Sequence, residues 1–417
     1  MKCLANSVIV SHPSRVLVSY QSALAMQEAE LLQHYETGFY YKKNNGVWPI
    51  VLKALTKKMA ERIERQLLRR SFNSLDLVKT HPLMDILLTA LSRSGCSART
   101  FGAALRIRNE YFDATVARSV RSLRPKAVIA YDSSALKTFK ACKKIGALCF
   151  LDQVVGHIKS GQEILMEESQ RHPEFADSYS NEGLDWVVQR CADEALMADM
   201  IFAPSEYVRD TLITNGVSSS RIRILPYGVD VERFGPAEKH IEEPFRILFV
   251  GQISQRKGIK YLLEAFKNLP LKKAELVLMG DVVGGGEGLK AYEGIFKHIK
   301  SVPYAELPQY YQSADIFVYP SLHEGSALAI YEAMASGLPV ITTYNSGSVV
   351  RDGEEGYILP IRDVEALMEK ILLLYQDEDL RYLMGKKARE RVEDFTWAQY
   401  RLRLGDTVQE LISEKIN

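Results

Sequence analysis

The sequence lacks any apolar run that approaches the roughly 18 residues a membrane-spanning helix needs. Its first seven residues, Met-Lys-Cys-Leu-Ala-Asn-Ser, reach polar side chains too early for the apolar core of a secretory signal. These two absences predict a soluble protein, or one that contacts a membrane only at its surface.

Cysteine is scarce and unpaired in pattern. The five cysteines are Cys3, Cys96, Cys142, Cys149 and Cys191, so all lie in the first half of the chain and none forms a C-x-x-C motif. An odd number without metal-ligand spacing predicts neither a disulfide framework nor a zinc site, and it fits a reducing compartment. We therefore expect a cytoplasmic protein, with the inner face of a membrane as the alternative location.

Length and charge indicate a two-domain globular enzyme. A chain of 417 residues is too long for one ordinary core, and its 47% apolar and 25% charged residues are typical of soluble proteins. The net charge is only +1, but residues 51–150 contain 20 basic and 7 acidic side chains, whereas residues 151–200 contain 3 and 11. The basic stretch is a candidate surface for an anionic partner.

Within that stretch, residues 52–70 repeat apolar side chains at helical spacing. These are Leu52, Leu55, Met59, Ile63 and Leu67, flanked by seven lysines and arginines. We favour a helix that packs on a core and solvates its charged side. A basic amphipathic helix on an anionic membrane surface is the alternative.

Strand and helix patterns predict the first secondary-structure elements of the chain. Val8–Val10 and Val16–Tyr20 are predicted as strands, and Ser22–His34 as the first helix. Ala127–Tyr131 and Ala147–Leu151 are predicted as parallel strands joined by a helix, which is a βαβ unit of an α/β fold.

The stretch 316–337 carries the clearest functional pattern. Ile316–Tyr319 is short, apolar and ended by a proline, which predicts a buried strand. A helix follows, with Ser326 as its predicted N-cap and Gly337 as its predicted end. Glu324 then lies in the loop at the carboxyl end of the strand and Glu332 in the helix, and they are the only charged residues between positions 316 and 350.

Glu324 and Glu332, seven residues apart and followed by Ala-Met-Ala-Ser-Gly-Leu-Pro-Val, resemble the E-x7-E motif of the retaining GT-B glycosyltransferases of family 4, the glycosyl transferases group 1. The resemblance covers roughly residues 221–400. It implies an α/β fold of two doubly wound Rossmann-like domains that face each other across a cleft. It also implies that Glu324 meets the hydroxyls of the donor sugar and Glu332 the nucleotide ribose.

A second loop supplies positive charge. Arg246–Val250 is predicted as a strand and Ile259–Leu269 as a helix, so Arg256 and Lys257 lie between strand and helix, where two cations suit a diphosphate. The resemblance implies this role for Lys257. Arg256 is expected to give the second charge, because Gln252 stands where relatives carry an arginine.

Backbone donors are expected to add to the anion site. The start of the helix after Glu324 presents N–H groups and a positive dipole end. The residues expected to bind the nucleotide sugar through this start are Gly325, Ser326, Ala327 and Leu328.

His157 completes the predicted catalytic set with Glu324 and Lys257. It follows the strand Ala147–Leu151, at the place where relatives have a histidine facing the donor, and a purely structural role is equally open. No metal is expected. Asp377-Glu378-Asp379 matches a metal-binding D-x-D, but it falls between two predicted helices and is interpreted as a solvated helix start.

The predicted domains are residues 1–238 on the acceptor side, 239–396 for the nucleotide sugar, and a helix at 397–417 that crosses back. We expect a metal-independent, retaining glycosyltransferase that uses a nucleotide sugar of unknown base as co-substrate and no other cofactor. The acceptor would be a glycan, a lipid-linked glycan or a small molecule, and no nucleic acid is expected as a partner. The alternatives are a nucleotide-sugar epimerase, or a nucleotide-sugar-binding protein without transfer activity, which Gln252 and Tyr227 permit.

Overall fold

The structure is a computed structural model, and it describes residues 5–14, 16–38, 40, 75, 77–93, 98–178, 185–237 and 244–416. The predicted basic helix at 52–70 lies outside these residues, so both interpretations of it remain predictions. Across the described ranges, no helix is both long enough and apolar enough to cross a bilayer.

Among the described residues, seven strands form the first sheet, in the order β3-β2-β1-β4-β5-β6-β7. The strands are β1 (Val8–His12), β2 (Leu32–Thr37), β3 (Val78–Thr80), β4 (Ala127–Tyr131), β5 (Leu148–Asp152), β6 (Met200–Ala203) and β7 (Ile222–Ile224). Strands β1 to β5 pair in parallel. The helices that connect this sheet are α1 (Leu17–Glu28), α2 (Pro82–Arg93), α3 (Ala98–Leu123), α4 (Leu136–Ile145), α5 (Ile158–Arg171), α6 (Asp185–Met197) and α7 (Glu206–Thr214).

The second sheet has six strands in the order β10-β9-β8-β11-β12-β13, all parallel. The strands are β8 (Phe245–Val250), β9 (Ala274–Met279), β10 (Phe296–Ile299), β11 (Ile316–Tyr319), β12 (Val340–Thr343) and β13 (Gly356–Leu359). Its helices are α8 (Ile259–Asn268), α9 (Leu307–Gln312), α10 (Leu328–Ala335), α11 (Val364–Gln376), α12 (Glu378–Val392) and α13 (Trp397–Ile416). The strand order reverses between β8 and β11, as in a doubly wound dinucleotide-binding sheet.

Helices on both faces explain why β11 and β12 of the second sheet are buried without alternation. Every residue of β11 and of β12 is buried. Parallel strands covered on both faces are expected to show such continuous burial. The aromatic rings of Phe249, Phe317 and Tyr319 stack beside each other in this core, with centroid separations of 5.2 and 5.9 Å.

The described chain divides into two compact units. The first comprises residues 1–152, 182–201 and 401–417, and the second comprises residues 153–181 and 202–400. This division differs from the predicted ranges 1–238, 239–396 and 397–417, which stay a prediction about domain boundaries. Helix α13 begins in the second unit and belongs to the first from Arg401 onward.

The first helix was predicted wrongly. Val16–Tyr20 does not form a strand, because α1 covers Leu17–Glu28, and His34 lies in β2 rather than in a helix. Eight of the twelve residues of α1 are buried, and they include polar side chains such as Ser19 and Gln21. A helix buried on nearly all sides has no apolar stripe with a period of 3.6, so the sequence pattern does not reveal it.

Candidate active site

Two loops meet where the strand order of the second sheet reverses. Residues 251–258 follow β8, and residues 320–327 follow β11, which is the neighbouring strand. Parallel strands present their carboxyl ends at one edge, and ligands of doubly wound sheets bind at the reversal point. Both loops that carry the predicted site residues therefore lie at the expected edge.

Tight backbone packing holds the first loop against the second. Gln255–Lys257 forms a single 3-10 turn, and Gly258 follows it in the left-handed region at φ 71°. A Cβ at position 258 would overlap the carbonyl oxygen of Pro320. Glycine is required there both for its backbone angle and for this close approach.

The structure brings Arg256, Lys257 and Glu324 together. Nη1 of Arg256 donates to Oε2 of Glu324 at 3.2 Å, and the ammonium of Lys257 forms an ion pair with the same oxygen. Nη1 of Arg256 also donates to the carbonyl oxygen of His323 at 3.0 Å. One carboxylate thus faces two cations from the neighbouring loop, and each cation keeps further N–H groups for another acceptor.

The charges of this cluster are largely withdrawn from water. Lys257 is 6% exposed, and its ammonium lies 5.2 Å from the ring centroid of Tyr319. Burial, and next the charge of Arg256, lower the pKa of Lys257 well below its ordinary value, while the contact with Glu324 acts in the opposite direction. Burial likewise lowers the pKa of Arg256. Cations with so little water around them interact strongly with an anion.

Glu332 lies apart from the two cations. Its carboxylate accepts a hydrogen bond from the Tyr311 hydroxyl at 2.7 Å, and it forms no ion pair with Arg256 or Lys257 in the described structure. Burial raises the pKa of Glu332 to about 7, and the Tyr311 hydrogen bond opposes that rise. The motif therefore contains one carboxylate held by charges and one held by a phenol, so the two can have different roles.

Helix α10 begins one residue later than predicted. Ala327 occupies the N-cap position, and no side chain caps the helix. The hydroxyl of Ser326 instead lies 3.0 Å from the hydroxyl of Tyr331, and the N–H of Ala327 donates to the carbonyl of Ser346 at 3.3 Å. Leu328 is the first helical residue. The end of the helix agrees with the prediction, since Gly337 follows it at φ 76°.

The loop that carries Glu324 packs closely on residues 153–156. The N–H of Gly156 donates to the carbonyl of Glu324 at 3.1 Å. The hydroxyl of Ser205 donates to the carbonyl of Gly325 at 2.6 Å. A Cβ at position 325 would overlap the carbonyl oxygen of Val154. Gly325 therefore allows backbone contact between the two loops.

His157 is the N-cap of α5 and is 2% exposed. Its Nδ1 accepts from the backbone N–H of Lys159 at 3.4 Å, and the backbone N–H of His157 donates to the Thr211 hydroxyl at 2.9 Å. Burial lowers the pKa of His157 to about 4. Its ring makes no hydrogen bond to Glu324 or to the two cations in the part of the chain that the structure describes. It is next in sequence to Gly156, which contacts the Glu324 loop.

His323 was missed by the sequence analysis. Its Nδ1 lies 2.6 Å from the hydroxyl of Tyr207 and its Nε2 lies 3.2 Å from the carbonyl oxygen of Gly156. Burial, and next the charge of Arg256, lower the pKa of His323 to about 4. A neutral ring can donate from Nε2 to Gly156 and accept at Nδ1 from Tyr207. Its position directly before Glu324 was the one signal in the sequence.

The D-x-D stretch is a helix start, as interpreted from the sequence. Asp377 is the N-cap of α12, and its carboxylate accepts from the N–H of Leu380 at 2.9 Å. Both following acidic residues lie in the first turn of that helix, where the helix dipole favours negative charge.

Residues 230–391 match the family model described as Glycosyl transferases group 1. This part of the chain is therefore similar to the glycosyl transferases group 1. It contains both Glu324 and Glu332 as well as the Arg256–Lys257 turn, so the whole observed cluster falls inside the matched range.

Curated relatives share part of their length with this chain. The sulfoquinovosyl transferase of Arabidopsis thaliana is 30% identical over 233 residues, which are 51% of this chain and 44% of the relative. A D-inositol 3-phosphate glycosyltransferase of Corynebacterium jeikeium is 30% identical over 248 residues, which are 53% of this chain and 59% of the relative. The chain thus spans about half the length of the curated relatives it matches.

Solved structures resemble the whole fold at low identity. The Anabaena protein HepE, solved in complex with UDP and glucose, superposes with a TM-score of 0.61 at 14% identity, covering 97% of this chain and 99% of its own. Sucrose-phosphate synthase from Thermosynechococcus elongatus gives a TM-score of 0.63 at 17% identity, covering 98% and 99%. With two doubly wound sheets, these likenesses confirm the predicted α/β GT-B class.

Proposed function

We propose that this protein is a glycosyltransferase that moves a sugar from a nucleoside-diphosphate sugar to a hydroxyl group of an acceptor. The observation that carries the proposal is the convergence of Arg256, Lys257 and Glu324 at the reversal point of the second sheet. The match of residues 230–391 to glycosyl transferases group 1 supports it further. The nucleotide sugar is the co-substrate, and its base is left to experiment.

The reaction breaks the bond between the anomeric carbon and a diphosphate oxygen, and it forms a bond from that carbon to the acceptor oxygen. Negative charge grows on the departing diphosphate while the sugar becomes oxocarbenium-like. Lys257 and Arg256, already fixed and largely desolvated, would stabilise that charge without reorganising in the transition state. The N–H groups at the start of α10, with Gly325, Ser326, Ala327 and Leu328 nearby, would add donors to the same anion.

The carboxylates are assigned different roles in this proposal. Glu324 would orient the sugar hydroxyls from beside the two cations. Glu332 would accept from a ribose hydroxyl beside Tyr311. His157, whose lowered pKa keeps it neutral at physiological pH, would offer hydrogen bonds to the sugar rather than charge.

The proposal includes retention of anomeric configuration and independence from metal. Glu324 pairs with two cations, which makes its carboxylate a weak nucleophile and disfavours a covalent glycosyl intermediate. Attack by the acceptor on the face that the diphosphate leaves would retain configuration. The acceptor proton would then pass to the departing phosphate oxygen. Two cations around that oxygen supply the stabilisation that a metal gives in other transferases.

The acceptor in this proposal is a glycan, a lipid-linked glycan or a small molecule with a free hydroxyl, and the reaction is placed in the cytoplasm. A lipid-linked acceptor would bring the protein to the inner face of a membrane. Binding to vesicles of anionic lipid, measured by co-sedimentation with and without acceptor lipid extract, tests that placement. Equal sedimentation with neutral vesicles would contradict a charge-dependent surface contact.

The first experiment is a thermal-shift screen against UDP, GDP and ADP, because a ligand of the native state raises the melting temperature. The matching nucleotide sugar is then incubated with the protein in the presence of a chelator. We expect sugar release to water or acceptor, and its loss in Glu324→Gln and Lys257→Ala. A product with the configuration of the donor, read by proton NMR, supports retention.

Three outcomes contradict the proposal. Nucleotide binding without any turnover would favour a binding protein. A changed sugar nucleotide formed without acceptor would favour an epimerase. Activity that disappears with chelator and returns with a divalent cation would overturn the metal-independent mechanism.

A further inference from the structure

Glu168 is a fully buried carboxylate near the end of α5, far in sequence from the Arg256–Lys257 turn. It accepts from Nε2 of Gln255 at 2.7 Å, from the hydroxyl of Tyr261 at 2.9 Å, and from Nε of Arg362 at 2.5 Å. The donors come from the 3-10 turn, from α8 and from the segment before α11. Hydrogen bonds and an ion pair of this kind compensate for the loss of hydration of a buried carboxylate.

Gln255 connects Glu168 to the cation turn. Its side chain is fully buried, and while Nε2 donates to Glu168, Oε1 accepts from the N–H of Lys260 at 3.2 Å. Its backbone N–H donates to the hydroxyl of Ser178 at 3.0 Å. Gln255 is the first residue of the turn whose next two residues are the cations. Hydrogen bonds at both Nε2 and Oε1 of the Gln255 side chain therefore fix the turn on its buried side.

Helix α5 contacts the other half of the site with its opposite end. Gly156 and the N-cap His157 lie at its start, and Gly156 bonds to the Glu324 carbonyl. A Cβ at position 161, in the first turn, would lie 2.6 Å from Cδ2 of His323. Eleven residues at 1.5 Å each separate His157 from Glu168, a span of about 16 Å. One rigid helix thus touches the Glu324 loop at its start and the cation turn at its end.

We infer that Glu168 is a positioning residue for the diphosphate: it holds Gln255, and through it the Arg256–Lys257 turn, at the separation from Glu324 that a nucleoside diphosphate requires. Glu168 itself touches no substrate. The inference rests on the proposed function, since it assigns the purpose of a contact within the same site.

Glu168→Gln is the informative change because it keeps size and shape. The new amide would present an NH2 group to donors, and a carboxamide cannot accept from Gln255 and Arg362 on both of its arms. Turning Gln255 over would restore one bond but would place its NH2 against the N–H of Lys260. The cation turn would therefore shift while the core stays filled.

The test measures binding of the nucleoside diphosphate found by the thermal-shift screen and of the matching nucleoside, both by calorimetry. In Glu168→Gln we expect roughly tenfold weaker binding of the diphosphate, which is the loss of about one good charge-assisted hydrogen bond. Binding of the nucleoside should change by less than about twofold, because the nucleoside lacks the group that the cations hold. The matched control is Glu167→Gln, since Glu167 is its half-exposed neighbour and also contacts Arg362.

A second variant guards against misfolding. Gln255→Met has similar volume and removes the same link, so it should show the same selective loss. If Glu168 acts through Gln255, the double variant should lose no more than either single variant. Additive losses would overturn the inference, and so would an equal loss for nucleoside and diphosphate, which a merely structural role would give.

The proposed function fails separately. If the unmodified protein binds none of UDP, GDP and ADP, the glycosyltransferase proposal falls. If the unmodified protein binds one of these nucleotides, Lys257→Ala abolishes the binding and Glu168→Gln leaves it unchanged, only the positioning role of Glu168 is wrong.

Discussion

Gly325→Ala should strongly destabilise the second unit, although position 325 has an ordinary backbone angle. The added Cβ would overlap the carbonyl oxygen of Val154 and lie 2.9 Å from Cα of Val155. The opposing loop cannot withdraw freely, because Gln153 bonds to the carbonyl of Phe202 at 2.9 Å. The substitution therefore has to separate two backbones that are in direct contact.

The cost follows from the contacts that separation would break. The hydrogen bonds from Gly156 to Glu324 and from Ser205 to Gly325 contribute about 1 kcal/mol each. Overpacking adds about 1–3 kcal/mol, and the smaller entropy of the unfolded alanine chain returns about 0.5 kcal/mol. We expect a net loss of about 3 kcal/mol in the free energy of unfolding. For a unit of this size that lowers the melting temperature by about 6–12 °C.

The assay is thermal and urea denaturation followed by circular dichroism. Gly102→Ala is the matched control, because nothing lies within 4 Å of a Cβ at that position of α3. A glycine inside a helix costs about 0.5–1 kcal/mol relative to alanine, so the control should be slightly stabilised. If Gly325→Ala has the same melting temperature as the unmodified protein, the close packing of residues 154 and 325 is refuted.

Three further predictions concern single carboxylates. Asp377→Ala should lower the free energy of unfolding by about 1 kcal/mol and leave activity unchanged, because it removes the N-cap of α12. Asp377→Asn should keep the cap. Loss of activity in both variants would instead favour a metal-binding role. The pKa of Glu332 is raised from an ordinary 4.5 to about 7, so the folded protein binds this proton more tightly than the unfolded chain does. The contribution of Glu332 to the free energy of unfolding is therefore complete below pH 4.5 and is lost as the pH rises through 7. Glu332→Gln should therefore gain stability relative to the unmodified protein between those pH values, and a constant difference in melting temperature would refute this. Glu194→Ala should cost about 3–5 kcal/mol because it leaves the buried Arg190 without one of its partners. In the same urea titration, Asp193→Ala at the partly exposed neighbouring position should change stability by no more than about 0.5 kcal/mol.

The second sheet could be predicted closely from the sequence because its signals are local. Ile316–Tyr319 is a strand with the predicted bounds, β8 begins one residue before its predicted start, and α8 ends one residue before its predicted end. Short apolar runs, prolines and capping residues fix such elements without reference to the rest of the chain. The meeting of Lys257 with Glu324 followed from the same logic, since both come directly after parallel strands.

Other parts depend on contacts between distant residues and gave little local signal. Glu168 looks like any acidic residue on an amphipathic helix, because its partners Gln255 and Arg362 are 87 and 194 positions away. His323 links the Glu324 loop to Tyr207 and Gly156 through its two ring nitrogens, and both partners are distant in sequence. Ser326 has the residue type of a cap, but Tyr331 competes for its hydroxyl. In each case tertiary packing decided what a side chain does.

Helix α13 affects the order in which the chain can fold during synthesis. Leu404, Val408 and Ile412 are almost fully buried, and a Cβ added at Gly405 would lie 3.3 Å from the Cβ of Ala29. The first unit therefore has no complete core until residues beyond 401 have left the ribosome, although most of its strands emerge long before. The second unit can close earlier. Until then the nascent chain would present an open apolar surface beside α1, and chaperones could bind it.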